Sequence, residues 1–232
     1  MEDRRQRLRS LLTVDGDSGS SALARICALA VSELAVTGAG VTLIRRPDGA
    51  GGQLLAWASD PVATRLEDLQ LTVGEGPGLA AATSDAPVLV PALAAAQARW
   101  PAFTAGALAV GAAAMFAFPL VLGAIRLGSL DCYRTTPGQL SPDQVSDALV
   151  LAEAAFAAVL AAVAGHAPDD LGWISDVHAE VHQACGMVMY QLKITMEAAL
   201  LRIRAHAYAH DLPIGVVAAQ IVNRQLSLDA GQ

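Results

Sequence analysis

"QACGMVMYQLKITMEAALLRIRAHA" (residues 183–207) is the stretch whose reading decides the architecture of the C-terminal part of this chain. Ala184 and Gly186 flank Cys185 inside a helical pattern. A mid-helix glycine costs about 1 kcal/mol relative to alanine, so a close neighbour is expected there. Working back from this point, Ile174, Val177, Val181, Ala184, Val188 and Gln191 or Leu192 recur at intervals of three and four up to Lys193. Thr195 is placed to cap a second helix running to about His210. Pro213 to about Leu226 reads as a third, with Ile214, Val217, Ala218, Ile221 and Leu226 as its buried stripe. Three amphipathic helices joined by short turns predict a small all-α bundle over 173–232.

Upstream, "GHAPDDLG" (165–172) breaks a long helix and marks the linker between two domains. That helix, 141–164, starts with Ser141 as N-cap and Pro142 at its first position. Val145, Leu149, Ala152, Phe156, Val159 and Val163 form a heptad-like seam, and Ala148, Leu151, Ala155, Ala158 and Ala162 a second stripe. A helix apolar on two stripes can serve its own domain and a partner together, so a homodimer through helices 141–164 and 174–193 is expected. Residues 20–164 read as an α+β domain with an antiparallel sheet. A helix from about Ser20 to Val36 precedes two strands, "GVTLIRR" (40–46) and "QLLAWAS" (53–59), around a glycine-rich hairpin. "VGEGPG" (73–78) leads into a short helix near Leu79, "APVLVPAL" holds a short strand, and two strands run from about Ala112 to Tyr133. Residues 1–19, beginning "MEDRRQRLRS", are expected to be a solvated leader.

The bulk numbers narrow the classes. The 232 residues are 54% hydrophobic and 16% charged, which excludes a disordered chain and leaves room for two cores. A net charge of −7 excludes indiscriminate wrapping of nucleic acid but not a small specific site. Cys27, Cys132 and Cys185 are widely spaced, as expected of buried thiols in a reducing compartment. Phe103 to Ile125 carries no charge, yet it is glycine-rich and broken by Pro119, so buried strand structure is expected rather than a membrane span. With no secretory signal in view, a cytoplasmic location is expected.

The C-terminal segment resembles the ANTAR domain of antitermination regulators over roughly Val177 to Leu226. The resemblance rests on Gln183, Ala184, Gly186, Met189, Ala198, Leu201, Arg202, Ala205, Val217, Ala218, Ile221 and Val222. In that family the residue before the glycine is commonly Lys; here it is Cys185. The first helix, the "VGEGPG" turn and the strands of 112–133 look like a GAF sensor domain. Related sensors often carry a cysteine after "GEGP"; this chain has Gly78, so covalent attachment of a chromophore there is excluded. Together these resemblances imply a signal-responsive regulator whose ANTAR-like part binds a dual-hairpin leader RNA as a dimer and stabilises it against terminator formation. Recognition of exposed loop bases by a compact bundle is consistent with its near-neutral charge.

The candidate RNA-binding residues are Gln183, Gly186, Met189, Lys193, Arg202, Arg204 and Arg224, the cations forming one basic edge if the three helices bring them together. Ala184 and Gly186 admit two explanations: close packing of helices, or, for Gly186 with Met189, the floor of a recess for an extruded base. Trp57, Trp100 and Phe103 are candidates for lining an effector pocket, although aromatics in a thin core also simply fill space. His178 with His182 and His206 with His210 have metal-ligand spacing but no third ligand, so no metal is expected, and no cofactor. The chain shows no P-loop, G-x-S-x-G or kinase motif, so an enzyme is not expected. The alternative to the regulator is a protein-interaction scaffold with a degenerate sensor and no nucleic-acid partner.

Overall fold

The computed structural model describes residues 2–12, 19–44, 53–164, 179–210 and 212–228. The architecture is α+β: an antiparallel five-stranded sheet between two layers of helices, followed by a helical bundle. The sheet runs in the order β2-β1-β5-β4-β3, with β1 Gly38–Ile44, β2 Gln53–Ala58, β3 Val88–Val90, β4 Ala114–Leu122 and β5 Ile125–Arg134. Gly123, at φ 59°, makes the tight β4–β5 turn that its position between two apolar runs suggests.

Alternation along the strands divides the molecule. Val41, Phe116, Phe118, Leu130 and Cys132 face one way and pack on α2 (Gly19–Leu34) and α6 (Pro142–Ala164). Residues of the other parity, Met115 and Tyr133 among them, face α3 (Pro61–Val73), α4 (Pro77–Ala82) and α5 (Pro101–Ala109). Burial pushes the Cys27 thiol up to about 12 and Cys132 above its usual value, so both are unreactive parts of the first core.

Several expectations change. The segment read as a solvated leader contains helix α1, Glu2–Leu12, whose Leu8 is fully buried in the core of the sheet domain with Leu12 packed against it; three leucines near the end of a charged helix are too weak a pattern to read. Helix α3 has no counterpart in the expectations from sequence, although Asp60 and Pro61 are a start signal: Asp60 Oδ1 accepts from Val62 N at 2.8 Å and Ala63 N at 3.0 Å. Burial alone would raise the Asp60 carboxyl, but hydrogen bonds from Ala63, Ser59, Tyr133 and Val62 outweigh it and hold it below its ordinary value. The uncharged stretch 103–125 is divided between α5 and β4. Among the described residues the one helix long and apolar enough to cross a bilayer is α6, and it is packed on the sheet.

Helix α6 begins with a reciprocal capping box: Gln144 N donates to Ser141 Oγ (3.2 Å) and Ser141 N to Gln144 Oε1 (2.8 Å). Its expected seam is split. Ala152, Phe156 and Val159 are buried within the sensor, whereas Leu149 and Val163 stay exposed and are joined on the outside by Leu160. The linker 165–172, the hairpin tip 47–52, Ile174, Val177 and His178 lie outside the described residues.

Candidate nucleic-acid interface and the sensor interior

The bundle consists of α7 (Ala179–Leu192), α8 (Met196–Ala209) and α9 (Ile214–Val222). Its core is Val181, Ala184, Cys185, Val188, Ala199, Leu200, Ile203, Ala207, Ile214, Val217, Ala218 and Ile221, largely the stripes read from sequence. Thr195 caps α8 through Ala198 N at 3.2 Å. Helix α9 ends at Val222, short of Leu226, because Arg224 turns left-handed.

Gln191 Nε2, in the last turn of α7, donates to Ser227 Oγ, beyond the end of α9, at 2.6 Å, which brings the C-terminal ends of the two helices together. Lys193 (φ 54°) and Arg224 (φ 59°) terminate these two helices in the left-handed conformation that usually belongs to glycine or asparagine. Both are exposed; Lys193 stands two residues before Thr195, the N-cap of α8, and the Gln191–Ser227 bond brings the end of α9 to the same pole. Met189, exposed, lies one turn before Lys193. Cations at two helix C-termini are favourable to the helix dipoles, and the partial positive charge of the α8 N-terminus adds to theirs.

The remaining candidates do not join this pole. Gln183, exposed, lies ten residues before Lys193, about 15 Å along a helix. Gly186 is half-buried, and a Cβ added to it would meet nothing within 4 Å. Close packing therefore explains Ala184, which is fully buried, but no neighbour among the described residues requires Gly186 to be glycine. Arg202 and Arg204 do not form one edge: side chains two apart on a helix project to opposite sides. Arg202 is half-buried midway along α8. Arg204 leaves the bundle surface altogether. Its Nε donates to the Leu71 carbonyl of α3 at 2.6 Å, and burial lowers its pKa from the ordinary value. Reading the sequence missed Tyr190, 86% exposed one turn after Gly186 on the outer side of α7; an aromatic on the polar face of a helix is the signal that could have found it.

His206 and His210 stack with ring centroids 4.0 Å apart, and His210 Nδ1 donates to the His206 carbonyl at 2.8 Å, which occupies one of the nitrogens a metal would need.

Within the sensor, Trp57 packs against the core on the α2/α6 side, while Trp100 and Phe103 belong to the core on the α3/α5 side. The three aromatics expected to line one pocket are thus separated by the sheet. What the α3 side of the sheet does gather is polar. Glu67 and Gln70 project from α3 toward Thr42 on β1 and Asp131 on β5, all at most 3% exposed. Thr42 Oγ1 donates to Glu67 Oε2 at 2.9 Å; Gln70 Nε2 donates to Glu67 Oε2 at 2.9 Å and to Asp131 Oδ2 at 3.3 Å. Burial, reinforced by the neighbouring Asp131, drives the Glu67 carboxyl well above its ordinary value, and burial raises Asp131 to about 6.

The "VGEGPG" turn closes over this cluster. Gly74 (φ 71°) ends α3, Glu75 Oε1 accepts from Ala102 N (2.8 Å) and Phe103 N (3.1 Å) at the start of α5, and Gly78 N donates to Gln70 Oε1 at 2.7 Å. A side chain on Gly78 would collide with Asp131 and Gln70, so the position that carries cysteine in some related sensors is closed to any side chain here.

Comparison with known proteins agrees with this division. Residues 176–222 match the family model described as ANTAR domain. Among solved structures, a GAF domain from an Acinetobacter phosphoenolpyruvate-protein phosphotransferase superposes with a TM-score of 0.55 at 13% identity, covering 72% of this chain and 96% of that one. A GAF domain from the corresponding Coxiella burnetii protein gives 0.54 at 14% identity, covering 69% and 93%. A domain of a two-component sensor histidine kinase protein from Sinorhizobium meliloti 1021 gives 0.54 at 17% identity, covering 67% and 99%. At such identities the likeness shows the fold alone. A search of the curated proteins finds no match. The bundle over residues 176–222 is an ANTAR domain, and the sheet domain that precedes it in this chain has the GAF fold.

Proposed function

We propose that this protein is a cytoplasmic, signal-responsive regulator whose ANTAR domain binds a dual-hairpin leader RNA and stabilises it against terminator formation, promoting antitermination of transcription. The observation that carries this reading is that Lys193 and Arg224 end two helices whose C-terminal ends are joined by the Gln191–Ser227 hydrogen bond, in a bundle that matches the ANTAR family. A left-handed backbone at a non-glycine residue has an energetic cost, and such strain concentrates at functional positions. Met189 beside the two cations and exposed Tyr190 supply apolar and aromatic surface for unstacked bases. Two such bundles would engage two loops, and the exposed row Leu149, Leu160 and Val163 on α6 is the surface on which two sensors would pair. The GAF-fold domain would receive the signal, a small-molecule effector being the natural candidate.

The test is titration of the full-length protein with an RNA carrying two adjacent loop hairpins, at two salt concentrations. Lys193→Ala and Arg224→Ala should each weaken binding and reduce the slope of log affinity against log salt by roughly 0.7 to 0.9. Loop-independent binding, or none, would refute the proposal. Exposed Leu201 (65%) and Tyr208 (66%) on α8 favour the alternative, a protein-interaction scaffold, and failure of the RNA titration with an intact dimer would select it.

A further inference from the structure

The contact between the two domains is made by helix ends. The last carbonyls of any helix lack intrahelical partners, and the first amides of any helix likewise. At the end of α3 the Leu71 carbonyl is taken by Arg204 of the bundle. At the start of α9, where Pro213 supplies no side-chain cap, the Ile214 amide is taken by Thr72 Oγ1 of the sensor at 3.3 Å. Each domain thus completes a helix terminus that the other leaves open. The Leu71 side chain, fully buried, lies in the bundle's core rather than the sensor's. Gly74, without a side chain, lets the guanidinium lie against the turn: a Cβ there would stand 3.1 Å from Arg204 Nη1.

The same short segment is tied to the sensor interior. Gln70, the residue before Leu71, accepts the Gly74 amide with its carbonyl (2.9 Å) while its side chain bonds Glu67, Asp131 and Gly78. A displacement of α3 that re-paired those buried groups would move Leu71, Thr72 and Gly74 with it, because a helix turn shifts as a unit.

We infer that Arg204, Leu71 and Thr72 form a latch that holds the ANTAR bundle closed on the carboxyl end of α3, withholding the Arg204 side of the bundle from RNA until α3 moves. The withholding from RNA rests on the function proposed above; the latch itself does not. A contact built on one leucine and two hydrogen bonds is small enough to open reversibly, as contacts between domains commonly do.

The experiment compares full-length wild type with Arg204→Ala and with Thr72→Val, a change on the sensor side that spares the bundle's own residues. Amide exchange is followed at residues 70–74 and 214–217, and the radius of gyration by solution scattering. Both variants should exchange about ten-fold faster at 214–217, the effect expected from one lost interdomain hydrogen bond, and faster also at 70–74, where Thr72→Val removes in addition the Thr72 Oγ1 donation to the Asp68 carbonyl (2.7 Å); both should expand, with β4 and β5 unchanged. Exchange and radius equal to wild type in Thr72→Val would overturn the latch. In the dual-hairpin RNA titration, Thr72→Val should bind several-fold more tightly than wild type. An opened Thr72→Val that binds RNA as wild type does would overturn the withholding. If no form binds RNA, the function proposed above fails, and the latch is judged on exchange and radius alone.

Discussion

The GAF-fold domain and the bundle handle polarity in opposite ways. All eight buried polar residues among those described (Thr42, Glu67, Gln70, Thr72, Thr104, Ser129, Asp131 and Asp147) lie in the sensor. The bundle's core is apolar throughout; Lys193 and Arg224 are exposed at helix ends, Arg202 is half-buried midway along α8, and Arg204 is handed across to α3. A buried polar network is stabilising only while each member keeps its partners, so it responds to a change of charge or partner. An apolar core does not. The difference places the groups that respond to a change of charge or partner in the first domain and leaves none of them in the bundle's core.

The sharpest way to break this comparison is by pH. Asp131 keeps its proton to about 6 when folded, against 3.8 for the ordinary group. Through that window the folded state binds more protons than the unfolded chain. The stabilising contribution is therefore complete below about pH 4 and is lost as pH rises to about 6, amounting to about 3 kcal/mol for a shift of this size. Glu67, raised in the same direction, extends the loss to higher pH. Thermal melts of the full chain should show the sensor transition falling over this range, with Asp131→Asn flattening the fall and the bundle transition nearly indifferent. A bundle as pH-sensitive as the sensor would contradict the comparison.

Glycine substitutions sharpen it further. Gly78→Ala places a methyl group against Asp131 and Gln70 and should destabilise the sensor by roughly 1–3 kcal/mol in denaturant melts. Gly186→Ala enters open space on a helix and should stabilise the bundle by up to about 1 kcal/mol. If it also weakens RNA binding, the glycine is explained by the partner's close approach.

Legibility in the sequence follows the same division. The bundle's helices and most of its core could be read from their 3-4 periodicity, because each helix buries one stripe against its immediate neighbours. The strands could be placed, and Gly123 marked their turn, because alternation and turn chemistry are local. Helix α3 escaped although its cap, Asp60-Pro61, is local, because its apolar positions are interrupted by Glu67 and Gln70 at just the places where it faces Asp131. A buried acid reads as a surface acid until its partner, 61 residues away for Gln70, is known to be opposite it. The candidate basic edge failed for a simpler reason: residue type does not report direction, and two arginines separated by one residue on a helix point apart.

By itself the sequence determined that an α+β domain with an antiparallel sheet precedes a three-helix bundle, and it placed the cations and small residues that suggest RNA. Those are consequences of periodicity, capping and composition, which act over a few residues. Only the tertiary structure decided that Arg204 closes the end of α3, that Lys193 and Arg224 share a pole, and that Glu67 and Asp131 face each other. Each of those facts depends on which elements become neighbours, and that is set by the burial of whole faces rather than by any local pattern.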